Sequence, residues 1–404
     1  MDIAATTAVA AEPQNRLSAV AAWLFACCAL IFLMVVVGGV TRLTLSGLSI
    51  TEWQPVVGVM PPLSDADWAP EFAKYKAIPE YRAVHYGMTL DEFKSIYWWE
   101  YAHRLLGRLI GVAFAIPLAW FLVRRKLPRR LIPALCGILL LGAAQGGLGW
   151  YMVESGLADR VEVSQYRLVA HLALALAIYA AILWVALGVV REPPRSVQGV
   201  PLAGLDPAIH VSNPAKGVGG RARPGHGGFR GIRSTSRRVD PLPSWRRAGN
   251  VVLLLVAVTI IAGGFVAGIR AGLTYNTFPL MDGKLVPDGY AQLHPFFLNW
   301  FENVAAVQFD HRLLAIVTAI VVMLVWAAGW RVLPAPRARF ALHGLAAAAL
   351  LQVALGVATL LLVVPIPLAA AHQAGAVLLL TAAINFRHAV RRVSPIDGKA
   401  PAPI

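Results

Sequence analysis

The sequence predicts an all-α integral membrane protein, with eight transmembrane helices arranged as two parallel-repeat four-helix bundles. Three observations lead there. Eight apolar runs each approach the ~20 residues a helix needs to cross a bilayer. The 404-residue chain is 58% hydrophobic and only 14% charged, with a mean hydropathy of +0.63. That is more apolar surface than a soluble protein of this length can hide in its core. The second half also repeats, in order, the distinctive residues of the first.

The first run, 19–40, follows a stretch containing Asp2 and Glu12. That stretch is not Arg-rich and resembles neither a transit peptide nor a cleaved signal, so the first helix is expected to be retained. The loop after it is too long for a bare connector and carries Trp53, Trp68, Trp98 and Trp99. It reads either as a lid over a pocket or as an ordinary aromatic belt at the membrane surface. Further runs fall at 102–123, 131–151 and 166–190, then at 248–269, 311–330, 338–362 and 367–386.

Basic residues mark alternate loops. Arg124, Arg125, Lys126, Arg129 and Arg130 separate the second and third runs; Arg331, Arg337 and Arg339 separate the sixth and seventh; Arg387, Arg391 and Arg392 follow the eighth. The intervening loops are acidic or mixed, with Asp65, Asp67, Glu71, Glu80, Asp91 and Glu92 in the first. The positive-inside rule then puts both termini in the cytoplasm. Cys27, Cys28 and Cys136 all lie in apolar runs, so no disulfide framework is indicated.

The net charge of +15 does not point to nucleic acid. Between Arg191 and Arg247 stand 11 basic and 3 acidic residues, so more than half of the excess sits in one segment. That segment contains the low-complexity run Gly217–Gly228 and reads as a cytoplasmic insertion. It divides the chain into an N-terminal bundle (1–190), a linker (191–247) and a C-terminal bundle (248–404). On that division His210 and His226 are bystanders.

Ionisable residues in membrane spans are costly, and each is a functional hypothesis. Glu100-Tyr-Ala-His103-Arg-Leu-Leu-Gly recurs as Gln308-Phe-Asp-His311-Arg-Leu-Leu-Ala, and His171 recurs as His372. Gln145 and Gly149 recur as Gln352 and Gly356, and Gly38-Gly39-Val-Thr-Arg42 has a looser echo in Ala267-Gly268-Ile-Arg270. The four histidines are expected in the first turns of the second, fourth, sixth and eighth helices, at similar depth and one pair per half. Two imidazoles facing each other across a bundle are what six-coordinate haem iron needs. Nothing accompanies each pair to complete a tetrahedral zinc site. Gly107 and Gly111 share the His103 stripe, and Gly375 follows His372 by three. They either leave room for a flat macrocycle or let helices pack closely.

The halves differ where it matters. Glu100 stands three residues before His103, and its counterpart Gln308 carries no charge. Glu100 reads as a proton-handling or charge-stabilising group, or else as a negative charge suited to a helix N-terminus. Arg104 and Arg312 each follow a candidate ligand. They and Arg42 and Arg270 are candidates for haem propionates or for plain snorkelling.

Several strings resemble haem A synthase, in its mitochondrial and alphaproteobacterial branch. They are Gly38–Arg42, Gly47–Trp53, Pro61-Pro62, Tyr97–Arg108, Gly272–Met281 and Asn303–Arg312. The resemblance implies oxidation of the C8 methyl of haem O to a formyl group by successive hydroxylations, giving haem A for cytochrome oxidase. It implies that His103 and His171 hold the substrate haem, that Glu100 is the catalytic acid, and that His311 and His372 hold a haem B. It also implies a bacterial inner (plasma) membrane, with haem O and haem A, lipid and a membrane electron donor or acceptor as partners. Haem O synthase, cytochrome oxidase assembly factors and a second copy of the chain are further candidate partners. Some relatives carry a cysteine pair in the first outer loop, and this chain has none there. Two other classes remain for comparison: a bis-His dihaem b-type electron carrier, which leaves the Glu100/Gln308 difference unused, and a transporter, for which paired acidic residues near mid-membrane are lacking.

Overall fold

A computed structural model describes residues 3–52, 60–159, 163–191, 242–333 and 335–391. Most of the expected linker, Trp53, His210 and His226 lie outside the described residues. The elements are α1 (Ile3–Leu43), α2 (Asp65–Ala77), α3 (Pro79–Ala83), α4 (Leu90–Val123), α5 (Ile132–Asp159), α6 (Gln165–Arg191), α7 (Leu242–Gly268), α8 (Asn299–Glu302), α9 (Val304–Gly329), α10 (Pro336–Leu361) and α11 (Ile366–Ala389). Among the described residues, eight helices are long and apolar enough to cross a membrane: α1, α4, α5, α6, α7, α9, α10 and α11.

Each span sorts its side chains between protein and lipid at helical period. In α4 the exposed stripe runs Leu109, Val112, Ile116, Trp120 and Val123, while Phe114, Leu118 and Phe121 turn inward. In α10 the buried stripe is Ala338, Ala341, Leu342, Leu345 and Ala349. The small residues there let α11 approach closely, which is how helices gain contact when lipid is as apolar as the side chains. In the N-terminal half α1 packs on α4 and α6, and α5 joins α4 to α6. In the C-terminal half α7 packs on α9 and α11, and α10 joins α9 to α11. The halves meet through α1, α6, α7 and α11, and one apolar core runs through all eight spans.

Three expectations need correction. α4 begins at Leu90, not near 102, because Thr89 caps it in a reciprocal box with Glu92. Asp91, Glu92, Lys94 and Glu100 break the apolar run, so hydropathy alone could not see the N-terminal extension of the helix. α9 likewise starts at Val304, with the Asn303 side chain accepting from Ala305 N–H and Ala306 N–H. His103 therefore sits well inside its helix rather than in a first turn, while His171, His311 and His372 fall near the second turn of α6, α9 and α11. Finally, α7 starts at Leu242, within the segment read as linker.

The long first loop is itself folded. Ser64 and Asp67 form a capping box on α2. Trp68, Phe72 and Tyr75 of α2 then pack against Phe93, Ile96 and Tyr97 of the α4 extension. Phe72 stacks on Phe93 at 4.9 Å between ring centroids, and Trp68 meets Tyr97 edge-on at 5.0 Å. This aromatic subdomain sits at the end of α4 that carries Glu100.

Candidate functional site

Each of the four histidines is half-buried and lies against a glycine of a neighbouring helix. A methyl group on Gly38 of α1 would stand 3.1 Å from His103 Nε2, and one on Gly149 of α5 would stand 3.0 Å from His171 Cε1. In the C-terminal half the corresponding distances are 2.9 Å from Gly263 of α7 to His311 Cε1 and 2.9 Å from Gly356 of α10 to His372 Cε1. The four imidazoles occupy space that any other residue at these glycines would contest. His103 and His171 are close enough for a charge on one to act on the other, and so are His311 and His372.

Hydrogen bonds fix the rings further. Gln145 Nε2 donates to the His171 carbonyl at 3.0 Å, and Gln352 Nε2 donates to the His372 carbonyl at the same distance. His311 Nδ1 lies 3.2 Å from the Thr259 carbonyl, an orientation that leaves Nε2 for another partner. Among the described residues His171 Nδ1 is buried without a hydrogen-bond partner. Among the described residues no three His, Cys, Asp or Glu side chains converge. Chemically, each His pair suits a ligand that brings its own equatorial donors and needs only two axial ones.

Glu100 is buried, with 2% exposure. Its Oε2 accepts from Ser49 Oγ at 2.7 Å and from Ile50 N–H at 2.8 Å. Its Oε1 accepts from Arg104 Nε at 3.0 Å and from a terminal Arg104 nitrogen at 2.6 Å. Arg104 also donates to the Glu52 carbonyl at 2.9 Å and the Ile50 carbonyl at 2.7 Å. The i,i+4 spacing of Glu100 and Arg104 was legible in the sequence, but the ion pair was not read from it.

The C-terminal half builds the same clasp without the charge. Gln308 Nε2 donates to the Thr274 carbonyl at 2.7 Å, and Arg312 donates to the Thr277 carbonyl at 2.7 Å and to the Tyr275 carbonyl. Ser49 and Thr274, Ile50 and Tyr275, and Glu52 and Thr277 are each 225 residues apart, as are Gly38 and Gly263. Leu45 and Arg270, at the same separation, both take the left-handed backbone conformation, with φ of 56° and 54°. This register corrects the echo expected between Gly38–Arg42 and Ala267–Arg270, which is three residues out of step. What aligns the halves is the glycine beside each ring.

The remaining candidates fall as follows. Arg42 lies in the last turn of α1, not outside it, and donates to the Gly268 carbonyl of α7 at 3.0 Å. Arg270 follows α7, close to His85 of the first loop. Gly375 packs against Gln352 and Leu355, so it serves helix contact rather than room beside His372. Gly107 faces Met34, and Gly111 has open space beside it. His343 accepts from Trp326 Nε1 at 3.0 Å, and His388 is buried against Trp184. Sequence reading missed Gln373: its Nε2 donates to the Val35 carbonyl at 2.9 Å, and its side chain occupies the space beside Gly39. The adjacency of Gln373 to His372 was its only sequence signal.

A family model described as cytochrome oxidase assembly protein matches residues 21–210 and 225–384. The haem A synthase of Nitrosospira multiformis is 50% identical over 373 residues, covering 92% of this chain and 94% of the relative. That of Rhodospirillum centenum is 49% identical over 386 residues, covering 95% and 92%. That of Caulobacter sp. is 43% identical over 381 residues, covering 94% and 98%.

Proposed function

The chain belongs to the haem A synthase family, whose reaction turns haem O into haem A, and from that premise we propose how its residues divide the work. The enzyme oxidises a methyl group of haem O to a formyl group. His103 and His171 would hold the substrate haem. His311 and His372 would hold a haem B. The residues fit such groups: two imidazoles per half, each backed by a glycine, with no side chain between ring and neighbouring helix. When bound, haem B supplies one-electron redox chemistry between the substrate and a membrane electron donor or acceptor.

The observation that carries the assignment of roles is the buried Glu100 carboxylate, with neutral Gln308 at the matching position. Oxidation of the methyl develops positive charge at its carbon and releases protons. A fixed carboxylate in a desolvated pocket stabilises that charge and takes a proton without reorganising. Arg104, Ser49 and Ile50 hold Glu100 in place, so its geometry is set before substrate arrives. The N-terminal half is therefore the catalytic one. The electron-carrier alternative finds no support in these relatives.

The protein is multi-pass in the bacterial inner membrane, with both termini and the 124–130 loop cytoplasmic by the positive-inside rule. The aromatic subdomain of α2, α3 and the α4 extension then covers the substrate pocket on the outer side. Haem O synthase, cytochrome oxidase assembly factors and further copies of the chain are its candidate partners. Pigment extraction tests the division of roles. Wild type supplied with haem O accumulates haem A, Glu100→Ala accumulates haem O or hydroxylated haem, and Gln308→Ala still makes haem A. Equal haem A from wild type and Glu100→Ala would remove Glu100 from the chemistry.

A further inference from the structure

Glu100 is cut off from bulk water, yet a carboxyl that serves successive turnovers must exchange its proton with solvent after each one. Among the described residues the aromatic subdomain buries the Glu80 carboxylate and, beside it, a hydrogen-bonded polar pair. Tyr75, fully buried, places its hydroxyl 2.5 Å from His85 Nδ1. His85 is half-buried just beyond α3, between Val84 and Tyr86, which are both exposed. At the inner end, Ile50 connects the two sites: its N–H bonds Glu100, and its side chain packs on the cluster that contains Tyr75.

We propose that Tyr75 and His85 form a proton relay joining Glu100, through intervening water, to solvent on the outer face. The step moves one proton and breaks only O–H and N–H bonds. The carboxyl proton of Glu100 reaches the phenol oxygen, the phenol proton passes to His85 Nδ1, and His85 releases its Nε2 proton to solvent. The reverse sequence recharges Glu100. Glu100 and Glu80 are the carboxylates whose charge reaches the phenol, with Tyr81 beside it; Glu92 of α4 and Arg270 beyond α7 face His85. Burial raises the phenol's pKa well above its ordinary value, which keeps the phenol protonated between transfers. Burial, then Arg270, holds the His85 pKa below its ordinary value, which keeps Nδ1 available as an acceptor near neutral pH.

The relay rests on the reading of Glu100 as the catalytic carboxyl, and the test separates the two. Haem A formation, bound haem per chain and thermal midpoint are measured for wild type, Glu100→Gln, Tyr75→Phe and His85→Ala, with and without added imidazole. Tyr75→Phe and His85→Ala are expected to slow turnover about tenfold with bound haem and midpoint unchanged. Imidazole is expected to restore most of the rate to His85→Ala and none to Tyr75→Phe. Wild-type rates in Tyr75→Phe and His85→Ala, with Glu100→Gln inactive, would reject the relay alone. Loss of rate that tracks loss of haem or midpoint, or a His85→Ala defect that imidazole does not repair, would make the pair structural. A fully active Glu100→Gln would overturn the underlying reading itself.

Discussion

A glycine beside each imidazole is the finest-grained feature of this molecule, and it makes a sharp prediction. Alanine is normally the better helix residue by about 1 kcal/mol, so Gly149→Ala or Gly356→Ala would stabilise an unconstrained helix. Here the new methyl stands about 3 Å from the imidazole carbon and displaces the ring. On the proposed division of roles, Gly356→Ala should lower the pigment held by His311 and His372 while sparing that held by His103 and His171, and Gly149→Ala should do the converse; extracted pigment per chain measures both. At Glu100 the ion pair is buried on both sides, with side-chain exposures of 10% for Arg104 and 2% for Glu100. Removing one member of such a pair strands the other and costs on the order of 3 kcal/mol. Arg104→Ala is therefore expected to lower the thermal midpoint more than the double variant with Glu100→Gln does. The histidines and Glu100 were legible in the sequence because charge and imidazole stand out against apolar spans. Gly149 and Gly356 stood out as a recurrence, but not that they and Gly263 face the rings, because whether a glycine faces a ring or lipid depends on helix rotation, which no local pattern specifies.

At the scale of elements, the spans were readable from hydropathy and their outer extensions were not. A helix that leaves the bilayer exchanges its apolar run for an amphipathic one, as α4 does between Leu90 and Glu100, and its start is then marked by a cap rather than by hydropathy. The α2–α3 region is held by aromatic contacts and by the Tyr75–His85 bond, and its stability should depend on pH. The folded state depresses the His85 pKa below the ~6.5 of an unfolded chain. Stability from neutral His85 is thus complete above about pH 6.5 and is lost as pH falls through the lower folded value. Hydrogen exchange of amides 65–97 should quicken over that interval, and should not do so in His85→Gln. The contact between α1 and α11 makes a second prediction. A methyl on Gly39 would overlap Gln373 Oε1. Gly39→Ala should destabilise the protein in detergent, and adding Gln373→Ala should recover most of the loss.

For the whole molecule, the loop charges predict a topology that labelling can check. A cysteine replacing Ala77 should react with a membrane-impermeant maleimide from the outer side, and one replacing Lys126 should react only after the membrane is opened. The recurrence of the histidine strings was visible in the sequence, but the register near α1 and α7 was misjudged because two arginines looked alike. Backbone geometry at Leu45 and Arg270 restores it. The bonds that join the halves carry a further implication. Arg42 reaches the Gly268 carbonyl, Gln373 reaches the Val35 carbonyl, Tyr166 donates to Glu302, and Tyr179 pairs with Thr381. All four lie within spans or at their ends. Two of the four grip peptide carbonyls that any sequence would offer. Such an interface is that of a pair of separate subunits, so the covalent joint should be dispensable. Two polypeptides ending and starting on either side of 192–241, made together in one cell, should find each other in the membrane and purify as a single pigmented complex.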